Sequence, residues 1–581
     1  MEAELARAPK VDADRFVGAL WGAALGDAMG WPFEERAGRV AGGKNRPLPR
    51  LFEPWVKRSG GRFRPYEEVI EAGAYSDDTQ LLLAVARART RSLRWWEWLA
   101  EAELPLWTLY ERGGGGATLR ATKQLLKGEL PWSGRVFATR DRYFAAGGNG
   151  VAMRIAPHCL AHADSASFDE IARDIMSDGV LTHGHPRALL GALVYGYALW
   201  TALQISSTLE YGELITKCIQ DVEIWSKIPE ISDRWPDWVR AAREHDLFFD
   251  KTWVEVSHEI VRGLHTADEG VASGALALDA EILDALGCFD RKINGAGTVS
   301  AIAAIFLASR HAAAPLEGVT RAALAVGADT DTLASMTGGL LGAITGTDWL
   351  MWPIRQIQDH DYIRHLAEHL ASGHVASLQH QRFTQDDAED LAEALLQGHD
   401  EVQLPMGIKA SAQRHDGVRS KSSKLEADAW LLIAEGETLI IKQLRDAPPK
   451  AVRRQVSPGT WPQNGSFAGI AITVADLDRS ARFYNAVLGL AITRETGRYL
   501  NFGPHLAIKE ASPGEPPRSG FTIFIEVDDV RSCRERCEEA GGGTASEIGN
   551  RGGRDSFLCR DPDGNRIEVI ERSSKRPLAA H

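Results

Sequence analysis

"LAVGADTDTLASMTGGLLGA" (324–343) decides how the chain is read. Ala, Gly and Leu dominate it, which predicts a buried helix. Asp329 and Asp331, flanked by Thr330 and Thr332, stand at its entrance. One Asp before an apolar helix caps exposed amides and meets the positive end of the helix dipole. That role needs one acceptor, and here there are two. Buried carboxylates without partners are strongly disfavoured, so they call for cations or neutralisation. No Lys or Arg lies within the stretch, and Arg321 is the nearest upstream.

A second helix entrance follows the same pattern. "YSDDTQLLLAVA" (75–86) sets Ser76, Asp77, Asp78 and Thr79 before an apolar run. Nearer the N-terminus, "GALWGAALGDAMGWPFEE" (18–35) packs Gly and Ala tightly and then delivers Glu34. Hard divalent cations take carboxylate and hydroxyl oxygens. Three acidic helix ends brought together would supply enough of them for two ions, and the small residues would let the helices close around the site. Two glycine-rich stretches, "RGGGGATLRATKQLLKGE" (112–129) and "AAGGNGVAMRIAP" (145–157), each run into a helix. Glycine amides at a helix start make an anion site. His183 and His185 in "THGHP" are, by residue type alone, further metal-ligand candidates.

The chain has 581 residues, more than one core usually holds, which predicts several domains. Hydrophobic and charged contents of 44% and 25% are those of a globular protein. A net charge of −13 argues against nucleic acid as the main partner, since phosphate binding needs clustered Lys and Arg. The scattered cysteines (Cys159, Cys218, Cys288, Cys533, Cys537 and Cys559) are expected as reduced thiols in a cytoplasmic protein. The opening "MEAELARAPKVDADRF" has no apolar core of a signal peptide, and no apolar run reaches membrane-spanning length.

Periodicity makes residues 12 to about 395 mostly helical, within a domain drawn as 1–398. Residues 399–446 change character, and "EADAWLLIAEGETLIIKQL" (426–444) reads as two strands around a Gly-containing turn, so a small β appendage is expected. A Pro- and Gly-rich linker follows at 447–465. A second domain spans 466–573, with a tail at 574–581. In it "GIAITVADLDRSARFYNAVLGL" (469–490) matches "FTIFIEVDDVRSCRERCEEAGG" (521–542) as strand, acidic turn and amphipathic helix, which predicts two like halves.

In order, the chain carries GD-x-x-G with a following Glu, S-D-D-T, G-x-G-x-x-M-R, T-H-x-H-P and G-A-D-T-D-T. Over roughly residues 12–395 these motifs resemble the ADP-ribosylglycohydrolase family, which includes the enzyme that reactivates dinitrogenase reductase and the ARH-type protein ADP-ribosylhydrolases. The resemblance implies an all-α domain with a dinuclear site for Mg2+, or alternatively Mn2+, held by Ser76, Asp77, Asp78, Asp329, Asp331 and Thr332. It places Glu34 near the scissile bond. It gives Gly114, Gly116, Gly148, Asn149, Gly150, Met153 and Arg154 to the pyrophosphate and distal ribose of ADP-ribose, sets His183 nearby, and leaves His185 structural. The implied catalytic set is Glu34, Asp78 and Asp331, with water activated for attack at the anomeric carbon. The implied activity is removal of ADP-ribose from a modified protein, an arginine linkage being favoured. The alternatives are hydrolysis of a small ADP-ribosyl or nucleoside conjugate, and a non-catalytic ADP-ribose reader or immunity protein.

"VADLDRSARFYNAVLGL" (474–490) and "DPDGNRIEVIE" (561–571) resemble the vicinal-oxygen-chelate superfamily of glyoxalases, extradiol dioxygenases and bleomycin-resistance proteins, a fold of paired βαβββ units. Where its active enzymes carry metal-binding His, this chain has Gly469 and Thr522, and only Glu568 remains. A metal needs three or four ligands to bind well. The module is therefore expected to be non-catalytic, a small-molecule binder or the contact of a homodimer.

Overall fold

The computed structural model describes residues 11–40, 52–60, 64–133, 137–205, 209–274, 278–378, 381–422, 424–447, 470–474, 476–496, 499–502, 506–510, 522–539, 546–551, 554–561 and 565–571. It forms two compact units, 1–451 and 452–581. The expected linker, from residue 448 on, lies outside the described residues, as do Gly469 and the tail.

The first unit is built around two helices, α1 (Ala13–Val40) and, near its end, Thr330–Thr345. Gly18, Gly22, Gly26 and Gly30 recur every fourth residue on α1, and Thr330, Ala334, Gly338 and Gly342 do so on the other. Four-residue spacing puts each set on one face. The two faces meet backbone to backbone. A Cβ added at Gly18 would lie 2.5 Å from the Gly342 carbonyl oxygen, and one at Gly22 would collide with Gly338. Arg15 ties the far end together, donating to Ala343 O at 2.6 Å and Ala202 O at 2.5 Å, where a cation meets the negative ends of two helices.

Around this pair, α1 and its partner α6 (Thr330–Thr345), lie α2 (Asp77–Arg91), α3 (Gly116–Leu126), α4 (Pro186–Gln204) and α5 (Gly297–His311). Both α4 and α5 are buried along nearly their whole length, as their unbroken apolar sequences require. The stretch 205–290 adds peripheral helices, the longest Phe249–Ala272.

Strands interrupt the helical region where periodicity showed none. β1 (Trp55–Ser59) and β2 (Tyr66–Ile70) form an antiparallel hairpin, and β2 also pairs with Val418–Ser420. Trp31 on α1 packs edge-on against Trp55 in a small apolar cluster with Ile70 and Ala74. The segment 399–446 holds β3 (Glu401–Gln403), β4 (Lys409–Arg414), β5 (Val418–Ser420), β6 (Leu425–Ala434) and β7 (Glu437–Asp446). The sheet order β3-β4-β6-β7 is antiparallel throughout. The expected appendage is no separate body. Val402, Leu404, Ala410, Trp430, Leu432, Leu439 and Ile441 belong to the same apolar core as the helices.

The second unit contains the two like halves. Strands Ile470–Val474, Ile492–Thr496, Tyr499–Phe502 and Leu506–Glu510 form one four-stranded sheet, with the helix Leu477–Arg482 between the first two. Thr522–Val527, Gly549–Arg551, Arg554–Arg560 and Arg566–Glu571 form the other, with the helix Val530–Glu539. In each, first and fourth strands pair in parallel and the rest antiparallel. One apolar core joins both halves and includes Cys533, Cys537 and Cys559. All six cysteines are buried, and none is in a disulfide. Among the described residues no helix is long and apolar enough to cross a membrane.

Candidate active site

Ser76 is the N-cap of α2, its Oγ accepting from the Asp78 amide at 3.2 Å. That leaves the carboxylates of Asp77 and Asp78, both buried, without a capping duty. The α2 entrance is fixed from two sides. The Asp77 amide donates to Arg112 O at 3.0 Å. On the α1 side, buried Asp27 accepts from the amides of Ser76 at 3.0 Å and Thr79 at 2.9 Å.

The α6 entrance answers the question raised by its two carboxylates. Asp329 occupies the N-cap position but makes no side-chain cap, and its Oδ2 accepts from Asn149 Nδ2 at 3.0 Å. Asp331 Oδ1 accepts from the Thr332 amide at 2.9 Å. The Thr332 hydroxyl donates to Asp78 Oδ2 at 3.2 Å and so joins the two acidic entrances directly. One carboxylate oxygen from each of Glu34, Asp329 and Asp331 lies within 4.8 Å of the others.

Burial pushes the carboxyls of Asp77, Asp78 and Asp331 well above their usual range, and neighbouring negative charge adds to it. Glu34 and then Asp27 act on Asp77, Asp27 and Asp77 on Asp78, and Glu34 and Asp329 on Asp331. Asp78 Oδ1 is buried with no hydrogen-bond partner among the described residues. Carboxylates facing one another in apolar surroundings, one with an orphaned oxygen, fit a hard divalent cation.

The glycine loops are placed differently from one another. In the first, the amides of Gly113 and Gly114 donate to Glu111 Oε2 at 3.2 and 3.1 Å. The chain's own carboxylate therefore occupies the amide of Gly114 expected to face an anion. Gly116 opens α3, with Gly115 as its N-cap. In the second loop, Gly148 and Asn149 pair with Gly295 and Ala296, and Asn149 also donates to Ser300 Oγ at 3.0 Å.

Two residues expected against ADP-ribose are buried among other side chains. Met153 is buried in the apolar core. Arg154 is fully buried, donating to Asp178 Oδ1 at 2.8 Å, Gly150 O at 2.8 Å and Thr182 Oγ1 at 2.9 Å. A guanidinium in an apolar interior needs a carboxylate, and Asp178 supplies it. Arg154 thus shapes the Gly150 loop from behind. Thr182 in turn bonds His183 Nδ1 at 2.8 Å, which orients the ring toward Gly148 and Gly150. Burial, reinforced by Arg154, lowers His183 to about 3. His185 is structural: it caps α4, its Nδ1 accepting from the Arg187 amide at 3.1 Å.

Four features escaped the sequence reading. Asp27 was visible within the GD motif but had no assigned task. Trp31, Lys57 and Glu111 had no signal at all. Lys57 Nζ sits 5.1 Å from the Trp31 ring centroid, and its charge opposes the rise at Asp77.

Residues 8–382 match the family described as ADP-ribosylglycohydrolase, and 466–569 match the Glyoxalase/Bleomycin resistance protein/Dioxygenase superfamily. ADP-ribosylhydrolase ARH3 of Danio rerio is 24% identical over 359 residues, covering 59% of this chain and 85% of its own. Lactoylglutathione lyase GLX1 of Arabidopsis thaliana is 30% identical over 132 residues, covering 19% of this chain. This chain spans 47% of that protein's length. A solved structure titled "ADP-ribosylglycohydrolase-related protein complex" aligns with 63% of the chain at 22% identity and a TM-score of 0.37. The first family covers well over half of the residues, and both matches fall on the motifs and units already described: the chain belongs to the ADP-ribosylglycohydrolase family, with a glyoxalase-type domain behind it.

Proposed function

We propose that this protein is a divalent-metal-dependent hydrolase that cleaves the glycosidic bond to ADP-ribose in a modified substrate, an arginine-linked protein being the first to test. The observation that carries the reading is the convergence of Glu34, Asp329 and Asp331 beside Asp78, with Thr332 linking the two acidic helix entrances.

Ser76, Asp77, Asp78, Asp329, Asp331 and Thr332 would hold two ions, Mg2+ or Mn2+. Bound there, such ions supply positive charge that keeps the carboxylates ionised and polarises substrate oxygens. Glu34 is the most exposed acid of the group, so it can meet both solvent and substrate. It is assigned to take a proton from the attacking water, and its charge favours the cationic character that grows at the anomeric carbon as the bond breaks. Asp78 and Asp331 orient the reacting groups from the buried side. The Gly148–Gly150 loop and a neutral His183 offer hydrogen-bond donors to the ADP-ribose.

The second unit is read as a binding or self-association module. Thr522 begins its strand where a ligand His would be required, and three or four ligands make a stable site. Six buried cysteines outside any disulfide fit a reducing, cytoplasmic setting.

The test is incubation with ADP-ribosylated arginine, serine and nucleic-acid substrates, with and without EDTA. Release of free ADP-ribose only when metal is present supports the proposal. Release under full chelation refutes the metal assignment. ADP-ribose binding without release from any substrate would make the protein a reader, and cleavage of small conjugates alone would make them its substrates.

A further inference from the structure

The strand β7 is tied at three places to α2 and to segments that flank the candidate active site. Glu437 pairs with Arg87 of α2, both buried. The Thr438 amide and hydroxyl donate to Asp359 at 2.9 and 2.7 Å, and Asp359 Oδ2 accepts from the hydroxyl of Tyr75, the residue before Ser76. Lys442 goes furthest. Its Nζ donates to Glu68 Oε2 at 3.0 Å and to the carbonyl of Glu111 at 2.9 Å. Glu68, buried, accepts from Arg112 Nε at 2.9 Å. Arg112 O receives the Asp77 amide, and the Glu111 side chain holds the amides of Gly113 and Gly114.

Resting on the reading of the site given above, we propose that Lys442 is a positioning residue of the hydrolase: through Glu68 and Glu111 it sets the Gly113–Gly114 loop and the Asp77 end of α2. Three hydrogen bonds in series, Lys442 to Glu68, Glu68 to Arg112 and Arg112 to Asp77, connect the sheet to an acid at the helix entrance. The lysine carries two of the loop's supports at once, a side-chain anion and a main-chain carbonyl. The 399–446 sheet is thereby part of the catalytic body, although none of its residues was singled out for chemistry. Lys57, from the hairpin that β5 extends, faces the same Asp77 and the same Gly113.

The test compares full-length Lys442→Met, Lys442→Arg and, as a control on the same strand, Arg445→Gln, whose side chain is half exposed and pairs with Asp428 and Glu426. Manganese alone and free ADP-ribose are titrated by calorimetry. Amide exchange is followed by mass spectrometry over 76–80 and 111–118. Lys442→Met should weaken both ligands about tenfold, raise KM more than it lowers kcat, and speed exchange at Asp77, Gly113 and Gly114. Lys442→Arg should recover most of the loss, and Arg445→Gln should match the parent. If Lys442→Met does not fold, Lys442→Gln is read in the same way. A folded Lys442 variant with parental affinities and parental exchange at these amides overturns the proposal. A parent that binds neither ligand would instead refute the proposed function, while the exchange data would still decide the role of Lys442.

Discussion

The carboxylate of Asp27 accepts two hydrogen bonds from Thr79, one from its amide at 2.9 Å and one from its hydroxyl at 2.6 Å. With the Ser76 amide added, a single buried side chain of α1 holds the first turn of α2 in place. The acids that follow are thus positioned by a residue that need not touch a metal itself.

Replacing Asp27 by Ala should weaken manganese binding by about 10- to 100-fold and destabilise the fold by about 1–3 kcal/mol, since buried donors lose their acceptor. Calorimetry and thermal unfolding measure both. Unchanged affinity in a folded variant would show that α2 holds its entrance without help.

Glu34→Gln keeps the shape of the side chain and removes its charge. Expected is a fall in kcat of about 100- to 10,000-fold with little change in ADP-ribose affinity. Asp331→Ala should lose metal binding as well. Steady-state kinetics beside calorimetry separate the two, and equal turnover in Glu34→Gln would take that residue out of the chemistry.

His183 stays neutral far below the usual imidazole range, at about 3, because burial and the Arg154 charge disfavour its cation while Asp178 favours it only in part. As pH falls below about 6.5 the unfolded chain binds a proton that the folded one refuses, so stability is lost as pH drops toward 3, by up to about 1.4 kcal/mol per pH unit. His183→Gln should remove this slope. Denaturant unfolding of both proteins at pH 7 and pH 5 should show the variant losing about 2 kcal/mol less over that interval. Parallel losses would mean that His183 titrates normally.

The acid-rich helix entrances and the small-residue faces could be read in the sequence because each is local: Asp329 and Asp331 precede an apolar run, and Gly338 and Gly342 lie one turn apart. The direction of Arg154 could not, since it depends on Asp178 and Gly150 O, which only the fold brings behind it. Glu111 takes amides that a glycine-rich loop would offer to any anion, and nothing in "RGGGG" marks them as taken. The hairpin β1–β2 was missed because five residues per strand give too short an alternation, and its third strand comes from Val418–Ser420, far along the chain.

Cutting the chain at its two borders should give opposite results. Ending it after residue 447 removes the second unit and leaves the first core whole, so hydrolysis of a minimal ADP-ribosylated substrate should persist. Activity on a physiological target, or self-association, should suffer. Ending it at 398 removes Glu437 and Lys442 from buried Arg87 and Glu68 and takes core side chains such as Leu432 and Ile441 away from the apolar residues they cover, so that product should fail to fold. Light scattering, circular dichroism and paired assays distinguish these results. Loss of activity in a folded 1–447 protein would show that the two units act together.

Where α1 and α6 touch, peptide groups rather than side chains set their separation. Gly30 abuts Thr330 directly, and the Thr330 hydroxyl donates to the Gly30 carbonyl at 2.9 Å, one residue before Asp331 and four before Glu34. The span between those two acids is therefore gauged by direct contact between peptide backbones, which does not drift when neighbouring apolar residues are exchanged. Repacking elsewhere in the core can raise or lower stability while this calibration holds, whereas a single methyl group at Gly22 or Gly338 would reset it.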